Sequence, residues 1–345
     1  MVIIMETGAS PEEITAITEA ITHEGLTPFE NPGVERKVIA VLGVIDSHKL
    51  RLMDKFQNLG GVERVALISD PYKLPSRQYH PQDTVFDVEG SPIGGKTLAI
   101  IAGPCSIESE EQTVAAARAV KAAGATFIRG GAYKPRSSPY AFQGLGEDGL
   151  KILAACREET GLPVVTEVVD PHDVGIVCQY ADVLQIGARN MQNYRLLQRV
   201  GQSRTPVLLK RGFGARIKEM LMAAEYLMVE GNHRVALCER GIITFEDSTR
   251  YTTDINAVPV LKHLSHLPVI LDPSHATGFS RFVGAVAKAG VAAGADGLIL
   301  EVHPNPAEAL SDGPQSLKPE AFAALMEELR RVALAVDRVC PGPVG

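Results

Sequence analysis

From residue 97 onward the chain alternates short, continuously apolar stretches with amphipathic helical ones, and it completes eight such rounds. The apolar stretches are TLAIIA, TFIRG, PVVTE, DVLQI, PVLLK, RVALC, PVILD and DGLIL. Strands that are apolar on both faces belong to a parallel sheet covered by helices on each side. Eight rounds favour closure into a (β/α)8 TIM barrel over an open doubly wound sheet. A length of 345 residues accommodates one such barrel and a small appendage.

The appendage lies upstream. Residues 2–68 read as strand, helix, strand, strand, helix, strand: VIIM, PEEITAITEAITHEG, LTPFE, KVIAVLGVI, KLRLMDKFQNLG and ERVALI. Ser10 is placed to cap the first helix with Glu13 three residues on, and Ile14, Ile17 and Ile21 form its apolar stripe. This order is that of a ferredoxin-like α+β module, assigned to residues 1–70. Residues 71–96 hold four prolines and only VFDV as a strand-like piece, so they are expected to be an ordered connector. The barrel is assigned to 97–345.

Bulk properties exclude several partners. A formal charge of -7 gives no global positive field for nucleic acid or an anionic membrane. The start, MVIIMETGAS, lacks a basic segment and carries Glu6 in its apolar run, which makes a poor secretory signal. No apolar stretch approaches the ~18 residues of a spanning helix. Five cysteines are sparse and odd in number, which argues against a disulfide framework and for a reducing compartment. The expected location is the cytoplasm.

In a barrel of this kind, chemistry belongs at the carboxyl ends of the strands. GPCSIES with Cys105 follows strand 1, DPSHATG with His275 follows strand 7, and strand 8 ends in EVHPNP with Glu301, followed in the same loop by Asp312. Closure makes strands 7, 8 and 1 neighbours, so a thiol, an imidazole and two carboxylates converge. That mixed set suits one divalent transition ion, Mn, Fe, Co or Zn, better than Mg or Ca. A lone cysteine or histidine is more often a packing or hydrogen-bonded residue, but four on adjacent strand ends outweigh that reading. Cys156, Cys178, Cys238 and Cys340 are read as inert, and His303 as a bystander near Glu301.

A second constellation is basic: Arg129, Lys134 and Arg136 after strand 2, Arg189 after strand 4, Lys210 and Arg211 at strand 5, and Arg240 after strand 6. Like charges repeated at strand ends in an acidic protein imply an anion carrying several charges. Arginine grips carboxylate and phosphate with paired hydrogen bonds, whereas lysine can also move a proton. A phosphorylated carboxylate fits both. GLGEDG at 144–149 matches G-x-G-x-x-G formally, but it follows no apolar strand, so dinucleotide binding is not expected.

The motifs IAGPCSIES, IRGGAYKPRSSPYAFQGLG, GARN, LLKRGF, LCERGI, DPSHATG, LEVHPNP and SDGPQSL resemble 3-deoxy-D-arabino-heptulosonate 7-phosphate (DAHP) synthases throughout the barrel. The amino-terminal module and the YKLPSR and HPQDTVFDV segments resemble the microbial branch that carries a ferredoxin-like, ACT-type regulatory domain. The resemblance implies condensation of phosphoenolpyruvate with erythrose 4-phosphate at the first step of the shikimate pathway to aromatic amino acids. It implies Cys105, His275, Glu301 and Asp312 as metal ligands. Arg129, Lys134, Glu167, Ala188, Arg189, Lys210 and Arg240 would hold phosphoenolpyruvate, with Arg136 and Ser137 on the aldose phosphate. An aromatic amino acid effector and a homodimer or homotetramer are expected by the same analogy.

The octulosonate 8-phosphate synthases share the barrel and the first substrate but carry Asn-Arg where this sequence has Pro135-Arg136, which favours the four-carbon aldose over arabinose 5-phosphate. A non-catalytic sensor is the remaining reading, against which the retained ligands speak. In the expected chemistry a metal polarises the aldehyde, C3 of phosphoenolpyruvate attacks it, water adds at C2 and phosphate leaves. Catalysis is assigned to Cys105, His275 and Lys134. Lys134 serves either as proton donor or as carboxylate anchor, and neighbouring cations with restricted solvation are expected to lower its pKa toward neutrality.

Overall fold

The computed structural model describes residues 1–31, 37–44, 48–67, 71–135, 138 and 140–343. They divide into two compact units, Met1–Gln82 with Leu264–His266, and Asp83–His263 with Leu267–Gly345.

The first unit contains β1 (Val2–Met5), α1 (Pro11–His23), β2 (Thr27–Asn31), β3 (Val38–Leu42), α2 (Lys49–Gln57) and β4 (Val62–Ala66). Their sheet has the antiparallel order β2-β3-β1-β4, the ferredoxin-like arrangement expected. Helix α1 starts where its sequence says: Ser10 Oγ accepts from the Glu13 amide at 3.2 Å, and the Glu13 carboxylate accepts from the Ser10 amide at 2.8 Å. Ile14, Ile17 and Ile21 face the sheet and join Ile3, Ile39, Leu52 and Phe56 in one buried cluster.

The second unit opens with the hairpin β5 (Phe86–Val88) and β6 (Ser91–Ile93). The sequence shows only the first of these strands, because β6 is three residues long and contains Pro92. Eight parallel strands follow: β7 (Ala99–Gly103), β8 (Phe127–Arg129), β9 (Val164–Glu167), β10 (Val183–Ile186), β11 (Val207–Lys210), β12 (Val235–Glu239), β13 (Val269–Leu271) and β14 (Gly297–Glu301). They form a closed barrel. The helices are α3 (Glu110–Ala123), α4 (Glu147–Thr160), α5 (Val174–Tyr180), α6 (Tyr194–Ser203), α7 (Ile217–Val229), α8 (Ala257–Leu264), α9 (Pro273–Thr277), α10 (Ser280–Ala292) and α11 (Pro319–Ala335). Phe86, Val88 and Ile93 of the hairpin share one buried cluster with Ala99, Phe127 and Val183 at the starts of three strands. The hairpin thus closes the amino-terminal end of the barrel interior with apolar side chains. None of the described helices is long and apolar enough to cross a membrane.

Closure is made by β14 pairing with β7, in a register that sets Glu301 opposite Gly103. Gly103 is required there, since a Cβ would lie 2.2 Å from the Arg129 carbonyl oxygen on the next strand. At the amino-terminal end of β14, Asp296, 1% exposed, ties that strand to β13 and to two cations. Its carboxylate accepts from the Val269 amide at 2.8 Å, from Lys262 Nζ at 3.1 Å and from Arg338 NH2 at 2.8 Å. Removing it leaves a buried N–H unpaired and takes a buried carboxylate from two cations, so Asp296→Ala should cost about 2–4 kcal/mol of stability. The readout is the urea unfolding midpoint. An unchanged midpoint would mean that this network does not stabilise the barrel.

Candidate metal and anion site

The carboxyl ends of β7, β13 and β14 deliver side chains toward one sector. The pairing of Glu301 with Gly103 places Cys105 two residues beyond the seam, and α9 begins directly after β13, with Asp272 as its N-cap and Pro273 in its first turn. The Asp272 carboxylate accepts from the His275 amide at 2.9 Å and from its Nδ1 at 2.8 Å. Nδ1 is therefore the donor, and Nε2 is left free to face inward, 3.3 Å from Glu301 Oε1 and 3.8 Å from Asp312 Oδ2. Asp312 holds a left-handed backbone conformation, φ 50°, that turns its carboxylate back toward the strands. Its Oδ2 accepts from Cys105 Sγ at 3.3 Å.

One ligand atom from each of Cys105, His275, Glu301 and Asp312 lies within 4.8 Å of the others. Two donors that share an ion at 2.0–2.3 Å stand at most roughly 4.6 Å apart, and the observed spread is close to that limit. A sulfur, an imidazole nitrogen and two carboxylate oxygens, with Cys105 and Glu301 buried, fit a divalent transition ion. Burial pushes the Cys105 thiol up to about 11. Burial also lowers His275 below its usual range, against the pull of Asp272 and Glu301, which favours the neutral imidazole a metal needs. Burial, the largest single influence, would raise Glu301 and Asp312, but His275 and Arg129 together outweigh it on Glu301, and His275, Arg250 and the Cys105 hydrogen bond together on Asp312, so both sit below the ordinary carboxylate range. His303 stands apart from the four, as expected: its Nδ1 accepts from the Asn305 amide, and its Nε2 lies 3.5 Å from Glu108.

The cluster opens on a cavity of about 310 Å³ whose lining includes His275 and Asp312 together with Lys134, Arg189, Lys210 and Arg240. Glu167 and Ala188 line it as well. Gly187 leaves room for the Glu167 carboxylate, because a Cβ would lie 1.9 Å from its Oε1. Lys134 links the two halves, donating from Nζ to Cys105 Sγ at 3.0 Å and to the Cys105 carbonyl at 3.1 Å. Burial pulls its pKa down, yet Cys105, Glu167 and Glu301 outweigh burial and Arg129, so it lies above the ordinary lysine value. The lowering expected from sequence is overturned. A tally of nearby cations omits the sulfur and carboxylates that the fold brings to the same place.

Two cations of the sequence constellation turn elsewhere. Arg129 is 3% exposed and gives its NH1 to Glu301 at 2.8 Å and to the Pro104 carbonyl at 3.0 Å, behind the metal ligand and outside the cavity lining. Arg211 is tied to Glu239 at 2.9 Å and Asp254 at 2.8 Å, away from the cavity. Arg136 and Ser137 lie outside the described residues.

The structure adds residues that sequence reasoning passed over. Asp272 also holds Lys210 Nζ at 2.5 Å, and Gln315 bridges Glu301 at 2.6 Å and Arg250 at 3.0 Å. Arg250 in turn binds Asp312 at 3.0 Å. Asp272 was within reach, as an N-cap three residues before His275 in DPSHATG. No local signal marks Gln315 or Arg250.

Residues 83–335 match the DAHP synthetase I family, and residues 1–70 match the DAHP synthase ferredoxin-like domain. Phospho-2-dehydro-3-deoxyheptonate aldolase of Thermotoga maritima is 46% identical over 97% of this chain and 98% of that protein. A crystal structure of that aldolase, also described as DAHP synthase, from Thermotoga maritima aligns with a TM-score of 0.78 at 44% identity, covering 98% of each chain. 2-Dehydro-3-deoxyphosphooctonate aldolase of Acidithiobacillus ferrooxidans is 34% identical over 70% of this chain and 89% of that protein. Matched through both its barrel and its amino-terminal module, the chain belongs to the DAHP synthetase I family.

Proposed function

We propose that this enzyme condenses phosphoenolpyruvate with D-erythrose 4-phosphate and water to give DAHP and inorganic phosphate, with a divalent metal ion held by Cys105, His275, Glu301 and Asp312. The carrying observation is that the four ligand atoms and a cation-lined cavity are one continuous site, joined through Lys134, His275 and Asp312. A sensor would need the cations but not a sulfur, nitrogen and oxygen cluster beside them.

The arginines and lysines of the cavity bind and orient. Arg189, Lys210 and Arg240 supply guanidinium and ammonium groups to the phosphate and carboxylate of phosphoenolpyruvate and retain the charge of the departing phosphate. Lys134, kept protonated at neutral pH by its anionic neighbours, has a proton to give to the oxygen that becomes an alkoxide when C3 attacks the aldehyde. Asp272 fixes His275 in the tautomer that presents Nε2, and Arg129 with Gln315 fixes Glu301. When bound, the ion supplies Lewis-acid polarisation of the aldehyde oxygen.

Pro135 and the match of the amino-terminal module to the DAHP synthase ferredoxin-like domain support the four-carbon aldose over arabinose 5-phosphate. On the same reading the enzyme performs the first step of the shikimate pathway in the cytoplasm, as a homodimer or homotetramer. The module at residues 1–70 would be the receptor for an aromatic amino acid.

Phosphate release should be metal-dependent and much faster with erythrose 4-phosphate than with arabinose 5-phosphate. Cys105→Ala should lose activity by about a thousandfold or more and retain little metal. Full activity of that variant in the presence of chelator would remove the ion from the mechanism, and equal rates with both sugars would remove the substrate assignment.

Metal binding should also carry a proton signature. A thiol raised to about 11 is protonated at pH 7, and the ion takes the thiolate, so binding releases a proton from Cys105. Affinity should then fall by about tenfold for each unit of pH lowered through the neutral range. Calorimetry in buffers of different ionisation enthalpy measures the release, and a value near zero would contradict the role of Cys105.

A further inference from the structure

Most cations at and around the cavity have a side-chain partner: Lys134 donates to Cys105, and Arg250, which also lies 5.8 Å from the Tyr251 ring, pairs with Asp312. Arg129, Lys210 and Arg211 each rest on a buried carboxylate, Glu301, Asp272 and Glu239 respectively. Among the described residues, Arg189 and Arg240 have no such partner. Arg240 is 4% exposed, and its NH1 is buried without a hydrogen-bond partner. What lies against these two side chains is aromatic. The Arg240 guanidinium carbon stands 4.1 Å from the ring centre of Tyr251 and 4.8 Å from that of Phe213, while Arg189 stands 5.4 Å from Phe213. The rings are themselves stacked, 5.2 Å apart and 4° from parallel. Phe213 follows β11 and Tyr251 lies in the loop after β12, so two separate strand ends contribute.

We infer that Phe213 and Tyr251 are positioning residues that aim Arg189 and Arg240 at the substrate anion through the faces of their rings, leaving the charge of both arginines undiminished. This rests on the proposed binding of phosphoenolpyruvate in the cavity. A carboxylate would orient a guanidinium equally well, but it would neutralise the charge and compete for the donors the substrate needs. A ring quadrupole attracts and fixes the cation while carrying no net charge and accepting no N–H in the guanidinium plane. Inside a buried pocket that attraction offsets part of the cost of desolvating the side chain. The orphaned NH1 of Arg240 is then a donor held in reserve for phosphate or carboxylate oxygen.

Progressive fluorination of Phe213 drains the ring's negative face while nearly keeping its shape, and the Tyr251 variants separate the cation attraction from the change in stacking that fluorine also brings. In the full-length, metal-loaded enzyme, KM for phosphoenolpyruvate and its Kd by calorimetry should climb stepwise with fluorine count, reaching roughly tenfold, while kcat stays within about twofold. Tyr251→Leu should weaken binding to a similar degree, and Tyr251→Phe, which keeps the ring, should restore it. Phe282→Leu removes a ring 4.7 Å from Arg281, outside the cavity lining, and serves as the control that leaves binding unchanged. A flat response to fluorination, or Tyr251→Phe as weak as Tyr251→Leu, would overturn the inference with the substrate assignment intact. Failure of the unmodified enzyme to bind phosphoenolpyruvate would instead take down the assignment, and the inference with it.

Discussion

The pairing of β14 with β7 is the constraint on which the site depends. It joins the last strand of the barrel to the first, and its register sets Glu301 against Gly103, two residues before Cys105. Without that seam a sulfur near the start of the barrel and two carboxylates near its end would be separated by about two hundred residues of chain, as the 207-residue separation of Cys105 and Asp312 illustrates. The loop-closure entropy of such a contact is offset by the apolar strands that pair along the seam, not by the polar side chains at its rim. Buried at the seam's end, those side chains are expensive to desolvate. The structure meets the cost with partners: Arg129 and Gln315 on Glu301, Asp272 on His275, and Arg250 on Asp312.

The same accounting explains how one cavity holds so many cations in an acidic protein. Arg211, away from the cavity, is neutralised by Glu239 and Asp254, while Lys210, at the cavity wall, rests on Asp272. Arg189 and Arg240, by contrast, stand against the faces of Phe213 and Tyr251. Lys134 lies between these cases, since its partner is the sulfur of a ligand. Its ammonium donates to the sulfur that a metal would also take, which couples the two halves of the site.

Much of this was legible in the sequence because two periodic patterns convert position into place. Each of the eight apolar runs forms a barrel strand, and the rule that chemistry sits at their carboxyl ends is enough to bring Cys105, His275, Glu301 and Asp312 together. The ferredoxin-like order was readable from the capping box at Ser10 and the isoleucine stripe of α1. What escaped were features decided by side chains far apart in the chain. Arg211 reads as an anion ligand beside Lys210, but successive strand residues face opposite ways and its partner Asp254 lies 43 residues on. The upward shift of Lys134 depends on a sulfur and two carboxylates from three other strands. The stacked pair Phe213 and Tyr251 has no local signature at all.

The central claim is that one ion is bound jointly by a sulfur, an imidazole and two carboxylates at the β13–β14–β7 sector. X-ray absorption at the edge of the bound metal measures this directly. The account predicts one ion per chain with a single sulfur neighbour at roughly 2.3 Å and the remaining neighbours nitrogen or oxygen, the sulfur contribution vanishing in Cys105→Ala. An ion surrounded only by oxygen and nitrogen in the unmodified enzyme would contradict it.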